Sequence, residues 1–330
     1  MEFETIVKLV KASGVSEGEL ILIHFWGEDA DKEIANSFAA AVAAAGASPV
    51  VLQQARSINR DLFTTAKAGC FDEKYFALFS HFDAVLDVFA YQPVILGYGL
   101  EEEQMNLYRG YIGQLFGKLM ECKRFTQIRI PTEANAAESG LDPEDYIRRM
   151  NSAYDIDYDR LAEACRQEAA NLADAEKVAV TTGEDCVLSL ELTNRKWLTD
   201  TGDGDLPCGE IYIAPVENRT NGKVFFEELW LDGVKYPDVM LEIAEGEIIR
   251  CSNEALSKEF EDMPKENRTV CELGLGMNPN VRDLCGYTLL DEKMAGTFHI
   301  AIGMNTMFGG TNQASDHIDF VGRGKVEVKA

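Results

Sequence analysis

Between Cys271 and Asp319, two of the chain's four histidines stand among carboxylates and glycines, in the segments CELGLGMNP, LDEKMAGTFHIAIG and GGTNQASDHIDF. Imidazole nitrogens and carboxylate oxygens at this density are ligands for divalent metal ions. In HIDF, His317 and Asp319 are two residues apart. Side chains two apart on a strand leave the same face, so one strand can present both to one ion. In TVCELGLG, Glu272 shares a face with Val270, Gly274 and Gly276, while Cys271, Leu273 and Leu275 fill the other. In FHIAIG, His299 shares a face with Ala301 and Gly303, opposite Phe298, Ile300 and Ile302. Each strand would bury one side and offer one ligand beside small residues, leaving room for an ion and a substrate. DLPCGEIYIAP adds Glu210, with Tyr212 on the same face and a turn at Pro207–Gly209 ahead of it. A carboxylate buried in an apolar strand is costly, and a divalent cation compensates it.

Strands are needed to position these residues. From about Val178 onward, short alternating segments running from DCVLSLEL to KVEVKA, separated by glycine turns, predict a largely antiparallel sheet. The first half reads differently. Residues 3–12 have helical spacing (Phe3, Ile6, Val7, Val10), and GELILIHFWG is an apolar run bounded by glycines, as in a buried parallel strand. A helix over 31–45 ends at Gly46, and SPVVLQQA and DAVLDVFAY supply further strands. The expected fold is α/β: a Rossmann-like N-terminal α/β domain with a helical extension over 1–175, then an α+β metal-binding domain over 176–330. The loop GEDAD after the first strand has no G-x-G-x-x-G pattern, so no dinucleotide is inferred. His24 and His81 read as structural histidines. Within the helical stretch, Asp142 and Pro143 form an N-cap and first-turn pair.

The chain has 330 residues, 46 % hydrophobic and 26 % charged, which suits a globular protein of two domains. Its 31 Lys and Arg stand against 56 Asp and Glu, a formal charge of −25. Such a surface repels phosphate backbones and anionic lipid, which argues against nucleic-acid and membrane partners, and it attracts metal ions and ammonium groups. No apolar stretch approaches the ~18 residues of a membrane span, and the N-terminus lacks a signal-peptide pattern. The eight cysteines are dispersed without a C-x-x-C pair, as expected of reduced thiols in the cytoplasm.

PCGEIYIAP, CELGLGMNPN, LLDEKMAGTFHIAIG and GGTNQASDHIDF together resemble successive motifs of the M29 metallopeptidases, the aminopeptidase T and aminopeptidase S group. The resemblance implies a pair of divalent metals (zinc, cobalt or manganese) held by Glu210, Glu272, His299, His317 and Asp319, a homodimer, and hydrolysis of peptides with a free N-terminus. Glu292 would then serve as general base or as an orienter of the ligands, and Lys293 as a stabiliser of the carbonyl, with a surface turn as the plainer reading of both. Gly209 stands where those peptidases have a first glutamate of an adjacent pair, and Thr306 where they have a tyrosine. A 2,5-dihydroxypyridine dioxygenase is similar to the same family, so two other readings stay open. One is a mononuclear non-haem iron dioxygenase, for which His299, His317 and Asp319 suffice. The other is a non-catalytic binding protein stabilised by its metal.

Overall fold

The computed structural model describes all residues except 94–98, 232 and 330, so Asp232 and Ala330, which fall on two expected strands, lie outside the described residues. The first elements in chain order are α1 (Phe3–Ala12), β1 (Leu20–Trp26), α2 (Lys32–Ala44), β2 (Ser48–Gln53), α3 (Arg56–Thr65), α4 (Glu73–Ala77) and β3 (Ala84–Phe89). They are followed by α5 (Glu102–Met120), β4 (Arg124–Arg129), α6 (Glu133–Glu138), α7 (Pro143–Tyr154) and α8 (Tyr158–Leu172). Short strands come next: β5 (Lys177–Gly183), β6 (Cys186–Glu191), β7 (Leu198–Asp200), β8 (Asp205–Leu206) and β9 (Glu210–Ile213). The remainder is β10 (Asn221–Leu231), β11 (Val234–Ala244), β12 (Glu247–Cys251), α9 (Glu254–Asp262), β13 (Val270–Gly276), α10 (Thr288–Asp291), β14 (Phe298–Gly303), β15 (His317–Gly322) and β16 (Lys325–Val328).

Two compact units result, one of Met1–Asp155 with Gly202–Pro207, the other of Ile156–Thr201 with Cys208–Ala330. The first carries a parallel sheet in the order β2-β1-β3-β4-β8. All of β3 and all but the first residue of β1 are buried, as continuous apolar runs in a covered parallel sheet should be. Leu22, Trp26, Phe63, Phe89, Tyr108 and Leu115 belong to the core under α3 and α5. His24 is fully buried in β1, where its Nδ1 is 2.8 Å from Asp87 Oδ1 of β3 and the Trp26 indole donates to the same oxygen at 3.0 Å. It is part of that core, in keeping with the structural role read from the sequence. The Asp142 side chain accepts from Asp145 N and Pro143 opens α7.

In the second unit the alternating segments form two sheets where one was expected. A six-stranded sheet runs β12-β11-β10-β6-β5-β16 and a five-stranded one β15-β14-β13-β9-β7, with every pairing antiparallel. Each has one apolar face to cover, and the two faces cover each other. Phe226 of β10 meets Phe298 of β14 and Phe320 of β15 at ring separations of 5.9 and 6.4 Å, and Phe260 of α9 meets Phe320 at 6.0 Å. The chain enters this unit at Ile156, ahead of the boundary expected near 175. The physical reason is α8, which packs on β7 and β9. No helix among the described residues is long and apolar enough to cross a membrane.

Candidate metal centre

With one face of the five-stranded sheet committed to the core, alternation sends the polar residues of β7, β9, β13, β14 and β15 to the other. Strand register lines them up in rows. Glu272, Ala301 and Asp319 are neighbours across β13, β14 and β15, and the small Ala301 separates the two carboxylates. Tyr212, Gly274 and His299 form the next row, and Asp200, Glu210 and Gly276 the one beyond. His317 pairs with Gly303 at the start of β15. Gly274 is the reason His299 fits, because a Cβ there would stand 2.0 Å from His299 Nε2. The imidazole therefore lies across the strand in the space a side chain would have taken.

All five carried-over ligand residues come together. His299 Nε2 is 3.2 Å from Glu272 Oε1 and 3.5 Å from Glu210 Oε2. His317 Nε2 is 3.5 Å from Glu272 Oε2 and 3.5 Å from Asp319 Oδ1. His317 Nδ1 lies 2.8 Å from the Met304 carbonyl. A proton on that nitrogen donates to the carbonyl and leaves the Nε2 lone pair facing the carboxylates, which is the tautomer a metal ligand needs. Glu292 and Lys293 join the cluster and are no surface turn. Lys293 is 1 % exposed, with Nζ at 2.5 Å from Glu210, 2.8 Å from Glu292 and 3.6 Å from Asp200.

Crowding of like charges in a dry place governs the protonation of the cluster without metal. Burial pushes the Glu210 carboxyl above its usual range against the pull of Lys293, and burial likewise raises Glu292. Burial works against a charged imidazole, yet the carboxylates of Glu272 and Glu210 outweigh it and lift His299 to about 9. In the same way Asp319 and Cys271 overcome burial and lift His317 to about 12. Burial would raise Asp319, but His317 and His299 hold it below the usual carboxylate range.

Several features were not anticipated. Asp200, on the three-residue β7, completes the carboxylate group around Lys293; nothing in its local sequence marks it, since only the β7–β9 pairing places it opposite Glu210. Cys271 was expected on the core face. A register shift between Val270 and Glu272 breaks the alternation there and brings Cys271 Sγ to 3.6 Å from His317 Nδ1. Gly209 adopts φ +121°, and a Cβ on it would meet Asn278 at 3.0 Å, so a glutamate is disfavoured at that position and the carboxylate that faces the cluster is Glu210. Thr306 opens an exposed single turn, Thr306–Phe308, whose Phe308 ring stands edge-on to His317 at 5.9 Å.

The sequence profile of the thermophilic metalloprotease family M29 matches residues 5–330, and the chain belongs to that family. Two solved structures share the fold over nearly the whole chain. Wild-type AmpT from Thermus thermophilus superposes with a TM-score of 0.67 at 18 % identity, covering 98 % of this chain and 97 % of its own. The 2,5-dihydroxypyridine dioxygenase from Pseudomonas putida KT2440 does so with 0.65 at 14 %, covering 99 % and 93 %. Among curated proteins no sequence matches.

The family is one of metal-dependent enzymes, and the cluster fits a divalent cation. One ligand atom from each of Glu272, His317 and Asp319 lies within 4.8 Å of the others. Glu210 Oε2 is buried without a hydrogen bond, and with the His299 imidazole 3.5 Å away neutral, as a ligand must be, that costs free energy unless a cation meets it. Imidazole nitrogen and carboxylate oxygen are the donors that zinc, cobalt and manganese accept.

Proposed function

We propose that the chain is a metal-dependent aminopeptidase that removes the first residue from peptides with a free N-terminus. The observation that carries this reading is the pair of overlapping ligand sets on one sheet face. Glu210, His299 and Glu272 form one set, and Glu272, His317 and Asp319 form the other, with Glu272 common to both. Charge favours two ions as well. Asp200, Glu210 and Glu292 surround the ammonium of Lys293, Glu272 and Asp319 adjoin the histidines, and two divalent cations balance the four negative charges these groups leave when both histidines are neutral.

Divalent ions bound there supply Lewis acidity, polarising the scissile carbonyl and lowering the pKa of a water to about 7. The chain's own residues do the rest. Glu292 takes a proton from the attacking water and returns it to the departing amine. Lys293, whose ammonium meets Glu210 and Glu292, serves here as a positioning residue for them. The carboxylate-rich face and the net charge of −25 draw an α-ammonium group in preference to an acylated one. An iron dioxygenase wants two histidines and one carboxylate on one ion. The group of Glu272, His317 and Asp319 holds one histidine and two carboxylates, which favours hydrolysis. We further take the enzyme to act in the cytoplasm, where its eight free thiols stay reduced, and as a homodimer.

Elemental analysis of protein purified without chelator tests the site. Two divalent ions per chain are expected, with His317→Ala and Asp319→Ala each losing metal while the parallel-sheet unit stays folded. Wild-type metal content in both variants would sink the assignment.

A further inference from the structure

Beside the ligands lies a feature that neither metal binding nor proton transfer uses. Tyr212 shares the face of β9 with Glu210, and its ring meets Phe308 edge-on at 5.6 Å; Phe308 in turn meets His317 edge-on at 5.9 Å. Phe308 thus borders the cluster beside His317, and Tyr212 borders it from β9. Met307, next to Phe308, is 70 % exposed.

A single exposed apolar side chain is ordinary. The bonding that fixes this tip is not. Arg195 pairs with Glu217 at 2.7 Å and also donates to the Gly309 carbonyl, while Glu217 accepts from Thr311 N at 2.6 Å and from the Asn305 amide at 3.3 Å. Asn305 also donates to the Cys271 carbonyl at 3.1 Å and accepts from Asn312 N at 2.9 Å. Asn312 donates back to the Gly303 carbonyl at 2.6 Å. Gly309, at φ +96°, turns the chain directly after Phe308. Ordering an irregular loop this thoroughly is entropically costly, and it preorganises an aromatic surface next to the ligands.

We propose that Tyr212 and Phe308 form the wall that receives the side chain of the substrate's first residue, so that the enzyme selects peptides beginning with an aromatic or other large apolar residue. This rests on the aminopeptidase reading. In such a reaction the α-carbon lies between the ammonium group and the scissile carbonyl, and both are held at the cluster. The first side chain must therefore land within one side chain's reach of the ligands, where the Phe308 ring stands. An apolar wall rewards each added methylene and gains nothing from a charged tip.

The test titrates the metal-reconstituted full chain with the hydroxamates of L-phenylalanine, L-leucine, L-alanine and L-glutamate by calorimetry, alongside turnover of the matching peptides. Phenylalanine and leucine hydroxamates should bind about tenfold or more tighter than the other two. Phe308→Ala should abolish that preference, phenylalanine and leucine hydroxamates then binding no tighter than alanine hydroxamate in samples matched for metal content. The milder Phe308→Leu should retain the preference for leucine. Equal binding of phenylalanine and alanine hydroxamates by the wild type, or an unchanged preference in Phe308→Ala, overturns the wall. Selective binding without turnover of any free-amine peptide upholds the wall and removes the aminopeptidase reading; turnover without selectivity does the reverse.

Discussion

Glu292 and Glu272 are both acids of one cluster, but the proposed mechanism gives them different work. Glu292 touches the Lys293 ammonium at 2.8 Å, whereas Glu272 touches both histidines. A general base contributes typically about 10²–10⁴-fold to rate, while a ligand also controls occupancy. Glu292→Gln is therefore expected to keep its metal and lose activity by that factor, and Glu272→Gln to lose both. Full activity of metal-loaded Glu292→Gln would move the base elsewhere, with Glu210 the next candidate. At this scale the sequence was informative where chemistry is local. His317 and Asp319 declare themselves by a spacing of two, and the neighbours of Glu272 and His299 by alternating size. Asp200 does not, because its role depends on a partner strand. Nor does Cys271, because an irregular register at one residue is invisible to a period-two pattern.

The strands position the cluster through their register, and one glycine shows how tightly. His299 is 1 % exposed, so its ring has no other place to go if a methyl group appears at residue 274. Gly274→Ala should displace the imidazole and weaken metal retention by about 10–100-fold, the range seen when the support of a ligand is removed. The check is metal affinity measured by competition with a chelator, and unchanged affinity would show that His299 is not a ligand in this pose. Gly274 was read from the sequence as room for an ion and a substrate, whereas the His299 ring occupies that room. Alternation also identified which face of each strand is apolar. It could not say that those faces cover one another as two sheets, since the partner of an apolar face is a tertiary fact, and the same holds for α8 on β7 and β9.

Across the whole molecule, acid should act on more than the metal site. In the parallel-sheet unit, Glu28 accepts from the Ser57 amide at 3.3 Å, from the Ser57 hydroxyl, and from the Tyr91 hydroxyl at 3.2 Å. Burial would raise its pKa, but these hydrogen bonds outweigh burial and hold it below the usual 4.5. A carboxyl lowered by folding stabilises the fold above its unfolded pKa, and that contribution is lost as pH falls through the folded value. Glu28→Gln should therefore be less stable than wild type at pH 7, with the gap narrowing as pH falls below the usual 4.5 and through the lowered folded value; a gap independent of pH in denaturant melts would contradict this. The parallel sheet of the first half and the antiparallel pairing of the second were legible in the apolar runs and alternating segments. The handover at Ile156 was not, because a helix carries no mark of the sheet it will cover. The most direct test of the central claim is the fate of one peptide in two forms, with a free and with an acetylated N-terminus, incubated with protein loaded with two divalent ions and followed by mass spectrometry. Loss of the first residue from the free form alone is the expected result; equal cleavage of both, or of neither with both ions bound, would contradict the aminopeptidase assignment.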